Sequence, residues 1–297
     1  MDTNALKAFV AIVDQGSFSE AAEALHLTQP AISKRLAALE NQLGIPLLER
    51  SQRQIRLTDA GARLLPHARR ILDEVHNARQ ALQDQSGEVS GHLPLIASHH
   101  IGLHHLPAWL QQLSQAHPEI SLGLQFIDSE GAYDQMLRRT AELAFVTLSE
   151  SMDQSFEVHL RWEDRMAFVA APHHSLATLK NPDLDALSAY DALLPEAGTA
   201  TYRSVSRLFL GADLPLNLPM PTNYMETLKV MTGAGLGWSV LPVSMVDASL
   251  TVLPVPHQVS RLLGAIGLRG RTLSPQARAL LEIARKLRPA AGAANAR

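Results

Sequence analysis

Residues 26–36 read HLTQPAISKRL, a helix-sized window with two cations and three hydroxyl or amide side chains, directly after an alanine-rich run. Thr28 suits a helix N-cap, because its hydroxyl can accept a hydrogen bond from a free N–H of the first turn. Pro30 then falls in that turn, where its missing N–H costs nothing. Ile32, Leu36, Leu39 and Leu43 recur at intervals of 4, 3 and 4, which predicts one buried stripe. Gln29, Ser33 and Ala37 fall on another face, flanked by Lys34 and Arg35. Gly44 is placed to end the helix.

Upstream, Ala5, Leu6, Phe9, Val10 and Val13 lie at helical spacing, and DQGS breaks that helix. Ser17, with Glu20 three residues on, has the form of a capping box. Ala21, Ala22 and Ala24 give the next helix a small-residue face that another helix can cross closely. Two short helices with a tight turn, the second displaying Gln, Ser, Lys and Arg, make a helix-turn-helix whose second helix fits the major groove. There Gln can pair with adenine, and Arg or Lys with guanine. For that helix alone a small bundle with a solvated polar face would be the favoured reading, and the next segment shifts the balance. IPLLERSQRQIRLT has apolar Leu47, Leu48, Ile55 and Leu57 around a polar tip and predicts a two-stranded wing. From Ser33 to Thr58 five cations (Lys34, Arg35, Arg50, Arg53, Arg56) face two acids (Glu40, Glu49), a local +3 in a chain of net charge -3. Wing arginines can reach phosphates or a narrow minor groove.

The run GSFSEAAEALHLTQPAISKRLAALENQLGIPLLERSQRQIRLTDAGARLLPHARRIL resembles the winged helix-turn-helix and linker helix of the LysR-type transcriptional regulators. The likeness is continuous from about Leu6 to Leu72. It implies a sequence-specific DNA-binding regulator controlled by a small-molecule effector. DNA contact is assigned to Ser17, Thr28, Gln29, Pro30, Ala31, Ser33, Lys34, Arg35, Arg50, Arg53 and Arg56.

From Asp59 onward, Ala60, Leu64, Ala68, Ile71, Val75, Ala78 and Leu82 step by 4, 4, 3, 4, 3 and 4, close to a heptad seam. The seam is expected to pair with a second subunit, since nothing else in the first ninety residues is free to cover it. The alternative is a helix packed on its own chain. Pro66 predicts a bend. The resemblance implies a homodimer through this helix and a homotetramer beyond it. The expected division is a DNA-binding domain over 1–58, a linker helix over 59–87, a hinge over 88–91 within QSGEVSGH, and an effector domain over 92–297.

In that last part strands and helices alternate, which predicts parallel sheet flanked by helices. HLPLIASHH, ISLGLQFID and AELAFVTLS read as strands, and GLHHLPAWLQQLSQAHP as one helix. RMAFVAAPHHSLA opens a second unit, and Leu263 to Gly270 returns to the first. The fold class is therefore α/β multidomain, with a two-lobed carboxy-terminal domain of periplasmic-binding-protein type. Lobe I is expected at about 92–161 and 267–297, and lobe II at about 162–266. ETLKVMTGAGLGWSVLP resembles the family's effector domain more weakly. Open α/β sheets bind ligands at the carboxyl ends of their strands. Effector contact is thus assigned to Ser98, His99, His100, Ser129, Thr147, Ser149, Gly198, Thr199 and Glu226. Small and hydroxyl residues beside helix starts favour a carboxylate or other oxyanion.

Cysteine is absent, which removes disulfides, thiolate metal sites and thiol redox sensing. MDTNALKAF lacks the pattern of a signal peptide, and no apolar run suits a membrane span, so a cytoplasmic protein is expected. GAGLGW follows a helix rather than a strand and so lacks the context of a nucleotide-binding loop. HHIGLHH, His99 to His105, sets His100 and His104 one helical turn apart, but no acid or sulfur ligand is adjacent in sequence, so neither metal nor cofactor is expected. No serine sits in a nucleophile elbow, and Glu163 with Asp164 reads as a solvated connector, so no enzyme is expected. The expected partners are promoter duplex and effector; RNA polymerase is a further contact the resemblance allows. The rivals are an effector-independent DNA binder and a solute-binding or enzymatic use of the cleft.

Overall fold

Asp2 accepts the N–H of Asn4 and opens α1 (Thr3–Gln15), which Gly16 closes in the left-handed region. The computed structural model describes residues 2–51, 54–83 and 89–287. Ser17 caps α2 (Phe18–Ala24), and Thr28 caps α3 (Gln29–Leu43) with Pro30 in its first turn. Ala21 and Ala22 are buried where the helices meet, and Leu6, Phe9, Ile12, Ile32, Leu36 and Leu39 fill the space between α1 and α3. Leu43, expected to complete the buried stripe, is 38% exposed at the last turn, beyond the reach of that core.

The wing is the antiparallel pair β1 (Leu48–Ser51) and β2 (Gln54–Leu57), with Leu48 opposite Leu57. Glu40 of α3 holds it in place by accepting the N–H groups of Leu47 and Leu48 at 2.8 and 3.3 Å. The long helix α4 (Asp59–Gln83) follows, about 37 Å at ~1.5 Å per residue, with Pro66 inside it. Gly61 is required there, because a Cβ would stand 2.1 Å from the Leu47 carbonyl oxygen. Ala68 is fully buried in the winged-helix core, with Ala60, Leu64, Leu65 and Leu72 packed against it. The first half of the heptad seam is therefore covered by its own chain, contrary to expectation. Arg69 fixes this docking through Asp14 at 2.5 Å. Ile71 and Ala78, further along, are exposed.

A second unit begins at β3 (Gly91–Ala97) and holds the rest of the chain's sheet. The expected single helix after β3 is two, α5 (His99–His104) and α6 (Leu106–Ala116), because Pro107 lacks the N–H and clashes with the preceding turn. β4 (Ile120–Phe126), α7 (Ser129–Leu137) and β5 (Leu143–Thr147) complete one lobe with β3 parallel to both strands. β6 (Phe156–Ala170) then runs into the other lobe. That lobe holds α8 (Leu184–Ser188), β7 (Ala192–Leu193), α9 (Ala200–Gly211), α10 (Met225–Gly233), β8 (Trp238–Pro242) and β9 (Thr251–Val252). GAGLGW forms the end of α10 and the turn into β8. β10 (Val259–Leu268) returns antiparallel to β6, and α11 (Pro275–Leu287) packs on α6.

The sheet order is β4-β3-β5-β10-β6-β8-β7, with β9 on β6. The sheet is mixed rather than parallel, since the two strands that join the lobes must run in opposite directions. Leu263–Ile266 pair with Ala144–Thr147 of β5 in the first lobe, in keeping with a return at Leu263 rather than with a lobe boundary at 266, and β10 starts four residues earlier than the sequence suggested. Separate cores lie in each lobe: Ile96, Met136, Val146 and Phe156 in one, and Phe168, Val205, Phe209 and Trp238 in the other. No described helix is long and apolar enough to cross a membrane.

Candidate functional site

In the first unit the side of α3 opposite Ile32, Leu36 and Leu39 carries the residues assigned to DNA. Gln29, Pro30 and Lys34 are exposed, while Ala31, Ser33 and Arg35 are half-buried along the same surface. The cap hydroxyls of Ser17 and Thr28 accept the N–H groups of Glu20 and Ala31, both at 3.4 Å, so those two side chains position helix starts. Arg56 points outward from β2, opposite Glu49 across the hairpin. The Arg50 side chain and Arg53 lie outside the described residues.

In the second unit the ends of β3, β4 and β5 meet the starts of α9 and α10 around a cavity of about 50 Å³. Ser98, His99, His100, Ser129, Thr147 and Thr199 line it, as assigned from sequence. Ser149 and Gly198 line a neighbouring cavity of about 320 Å³ instead, which shares Glu130, Thr147 and Ala200 with the first. Glu226 lines neither; it lies 3.0 Å from Nε2 of His104. Several assigned hydroxyls already have local partners. Ser129 Oγ accepts the Thr147 N–H at 2.9 Å, and Thr199 caps α9 while donating to the Glu196 carbonyl at 2.8 Å.

The cavity's charge comes from a residue the sequence reading missed. Arg261 of β10 lines it with a side chain only 6% exposed. Its Nε donates to Asp164 Oδ2 at 2.8 Å, and Nη1 to Thr201 Oγ1 at 3.4 Å. Nη2 is buried with no hydrogen-bond partner among the described residues. A buried donor left this way costs free energy that an incoming acceptor recovers, and a guanidinium suits carboxylate oxygens. Asp164, expected in a solvated connector, is buried. Strand alternation carries the signal: Trp162, Asp164 and Met166 share the buried face of β6, as Val259, Arg261 and Leu263 do on β10.

His100 is 5% exposed, and neither ring nitrogen has a hydrogen-bond partner among the described residues. Burial first, then the neighbouring Arg261 charge, pushes its pKa down to about 2, so the ring is neutral at pH 7. Its Nε2 lies 3.7 Å from Asp164, an ion-pair distance that counts only for a protonated ring, and burial prevents that. Burial raises the Glu130 pKa, whereas Asp128 is occupied in capping α7 through the Gly131 N–H at 2.6 Å. Two acids thus line the cavity together with the Arg261 guanidinium, which is paired with Asp164 but keeps an Nη2 without a hydrogen-bond partner among the described residues. Gly102 lets α5 lie against Phe126, whose ring a Cβ would meet at 2.2 Å.

Comparison with known proteins matches residues 3–62 to the bacterial regulatory helix-turn-helix protein, lysR family, and residues 86–288 to the LysR substrate binding domain. The SDS degradation transcriptional activation protein of Pseudomonas sp. is 33% identical over 94% of this chain and 94% of its own. The transcriptional activator CmpR of Synechocystis sp. is 29% identical over 78% of this chain and 76% of its own. Among solved structures, a full-length OxyR variant from Pseudomonas aeruginosa covers 96% of this chain and 95% of its own, with a TM-score of 0.74 and 22% identity.

Proposed function

Because this chain belongs to the LysR family of transcriptional regulators, we propose that it reads promoter DNA with Gln29, Ser33 and Lys34 and answers to an oxyanion seated on Arg261. The family is one of DNA-binding regulators with an effector-binding domain, not of enzymes. The observation that carries the effector reading is the unpartnered, buried Nη2 of Arg261 at the floor of a cavity built from strand ends. Space for a few heavy atoms there suits a carboxylate head, and the adjoining larger cavity suits the body of a small metabolite.

In this reading Gln29, Ser33 and Lys34 reach base edges while Pro30 sets the entry of α3. Arg50, Arg53 and Arg56 hold backbone or minor groove, and Arg35 lies beside them. Assembly follows from α4: its first half is used by its own chain, but the exposed Ile71 and Ala78 continue the seam. They support a homodimer along the second half of that helix, with a homotetramer built on two such pairs. Promoter binding places the protein in the cytoplasm, with RNA polymerase as a neighbour on the same DNA.

The test is a gel-shift titration of the full chain on DNA selected from its own genome, with and without small carboxylates. Retarded complexes whose affinity or pattern changes with one such compound, and not in the Arg261→Met variant, support the reading. Binding that no carboxylate alters, or that Arg261→Met alters equally, overturns its effector half.

A further inference from the structure

His100 and His104 stand one turn apart on α5, and Glu226 reaches toward them from α10, 122 residues further on from His104. One donor atom from each lies within 4.8 Å of the other two. The His104–Glu226 pair is at 3.0 Å, and the two imidazole centroids are 4.8 Å apart. Ligands at ~2.0–2.2 Å around a tetrahedral zinc stand about 3.3–3.6 Å from one another, so the 3.0 Å pair must open slightly while His100 closes in on it.

We propose that His100, His104 and Glu226 form a binding site for a borderline divalent cation of the zinc type. Imidazole and carboxylate suit such an ion, and two histidines with one glutamate are a known zinc set that leaves a position open. The acid that the sequence around HHIGLHH lacks is supplied by the fold. A plain hydrogen bond between His104 and Glu226 would account for two of the three groups. It leaves His100 unexplained: a buried ring with both nitrogens unpartnered among the described residues, facing the other two donors. The local charge also permits a cation. Arg261 is matched by Asp164, which leaves the Glu226 carboxylate for the ion.

The placement gives the ion a mechanical consequence. α5 packs with α6 in the first lobe, whereas Met225 and Leu228 of α10 are buried in the second. A cation on these three side chains therefore ties one lobe to the other. His100 also lines the small cavity, so the remaining coordination position lies beside the place where an oxyanion would sit. This inference stands on the three side chains and does not depend on what the effector is.

The experiment is calorimetric titration of zinc chloride into the tag-free, chelator-stripped full chain, with magnesium chloride as the hard-cation control. One zinc per chain is expected, with no magnesium uptake. His104→Ala and Glu226→Gln should each weaken zinc binding by more than about tenfold. The double variant His173→Ala/His174→Ala, which removes an unrelated histidine pair, should bind as the parent does. Far-ultraviolet dichroism on every variant shows that it is folded. Absence of zinc uptake by the folded parent overturns the site. So does uptake that both His104→Ala and Glu226→Gln retain, or uptake that the His173/His174 variant loses. DNA retardation of the stripped protein is measured alongside, so that loss of the metal site is distinguishable from loss of the regulator.

Discussion

Arg261 and Asp164 face each other directly across β10 and β6, the two strands that join the lobes, with Nε donating to the carboxylate at 2.8 Å. The pair sits on the strands that join two separately packed cores, and Arg261 lines the cavity. In the proposed reading, ligand recognition and lobe connection share one buried ion pair.

Removing one partner leaves the other charge buried and uncompensated. Arg261→Met should destabilise the effector domain by ~3–5 kcal/mol. Arg261→Met combined with Asp164→Leu should recover most of that loss while still failing to respond to carboxylates. Thermal unfolding with and without ligand separates the two effects. A double variant that keeps a ligand-induced shift in melting temperature would show that Arg261 is not the anchor.

Base reading and backbone holding should separate on the winged helix. Gln29→Ala should relax preference at one base pair by ~1–3 kcal/mol and leave random duplex binding nearly unchanged. Arg56→Ala should weaken all duplexes alike and lower the salt slope by about one. Equal loss on selected and random DNA for Gln29→Ala would contradict the groove assignment.

Ile71 is exposed on α4, next to Leu72, which marks the end of the part packed on its own chain. Ile71→Asp should therefore shift the protein toward monomer in sedimentation and abolish high-affinity binding to paired half-sites. The winged-helix core should melt as before. Unchanged mass together with unchanged DNA affinity would remove α4 as a dimer seam.

Acid should destabilise the second unit through its buried imidazoles. His100, His105 and His159 all have folded pKa values below the ordinary 6.5, each chiefly because burial disfavours the charged ring. A lowered folded value means that the unfolded chain takes up protons first as pH falls through 6.5, so stability is present above that point and lost below it. For His100 the loss continues down toward pH 2. The urea midpoint should be lower at pH 5.5 than at pH 7.5, and a midpoint that holds or rises would refute the account.

Local signals carried the winged helix. Caps at Ser17 and Thr28, Pro30, Gly44 and the 4-3-4 apolar spacing are short-range features, and the structure follows them except at Leu43. The cavity was partly legible, because hydroxyl residues at strand ends mark where parallel strands stop. Its floor was not, since Arg261 and Asp164 become neighbours only through a pairing across 97 residues. Alternation along β6 and β10 held that information, but charged residues in Trp162–Met166 read as solvent-facing until the opposite strand is known. Glu226 was assigned to the effector, but its pairing with His104 was not legible, since that partner is on a helix of the other lobe.

The central claim is that α3 reads sequence and the assembled chain reads it twice. Selection of duplexes from a random pool by the purified full chain tests this most directly. The account predicts an enriched, partly palindromic motif whose half-sites are about 10.5 bp or a multiple of it apart, with preference at one position relaxed in the Gln29→Ala protein. A pool that remains random after selection, with every duplex bound equally, would contradict it.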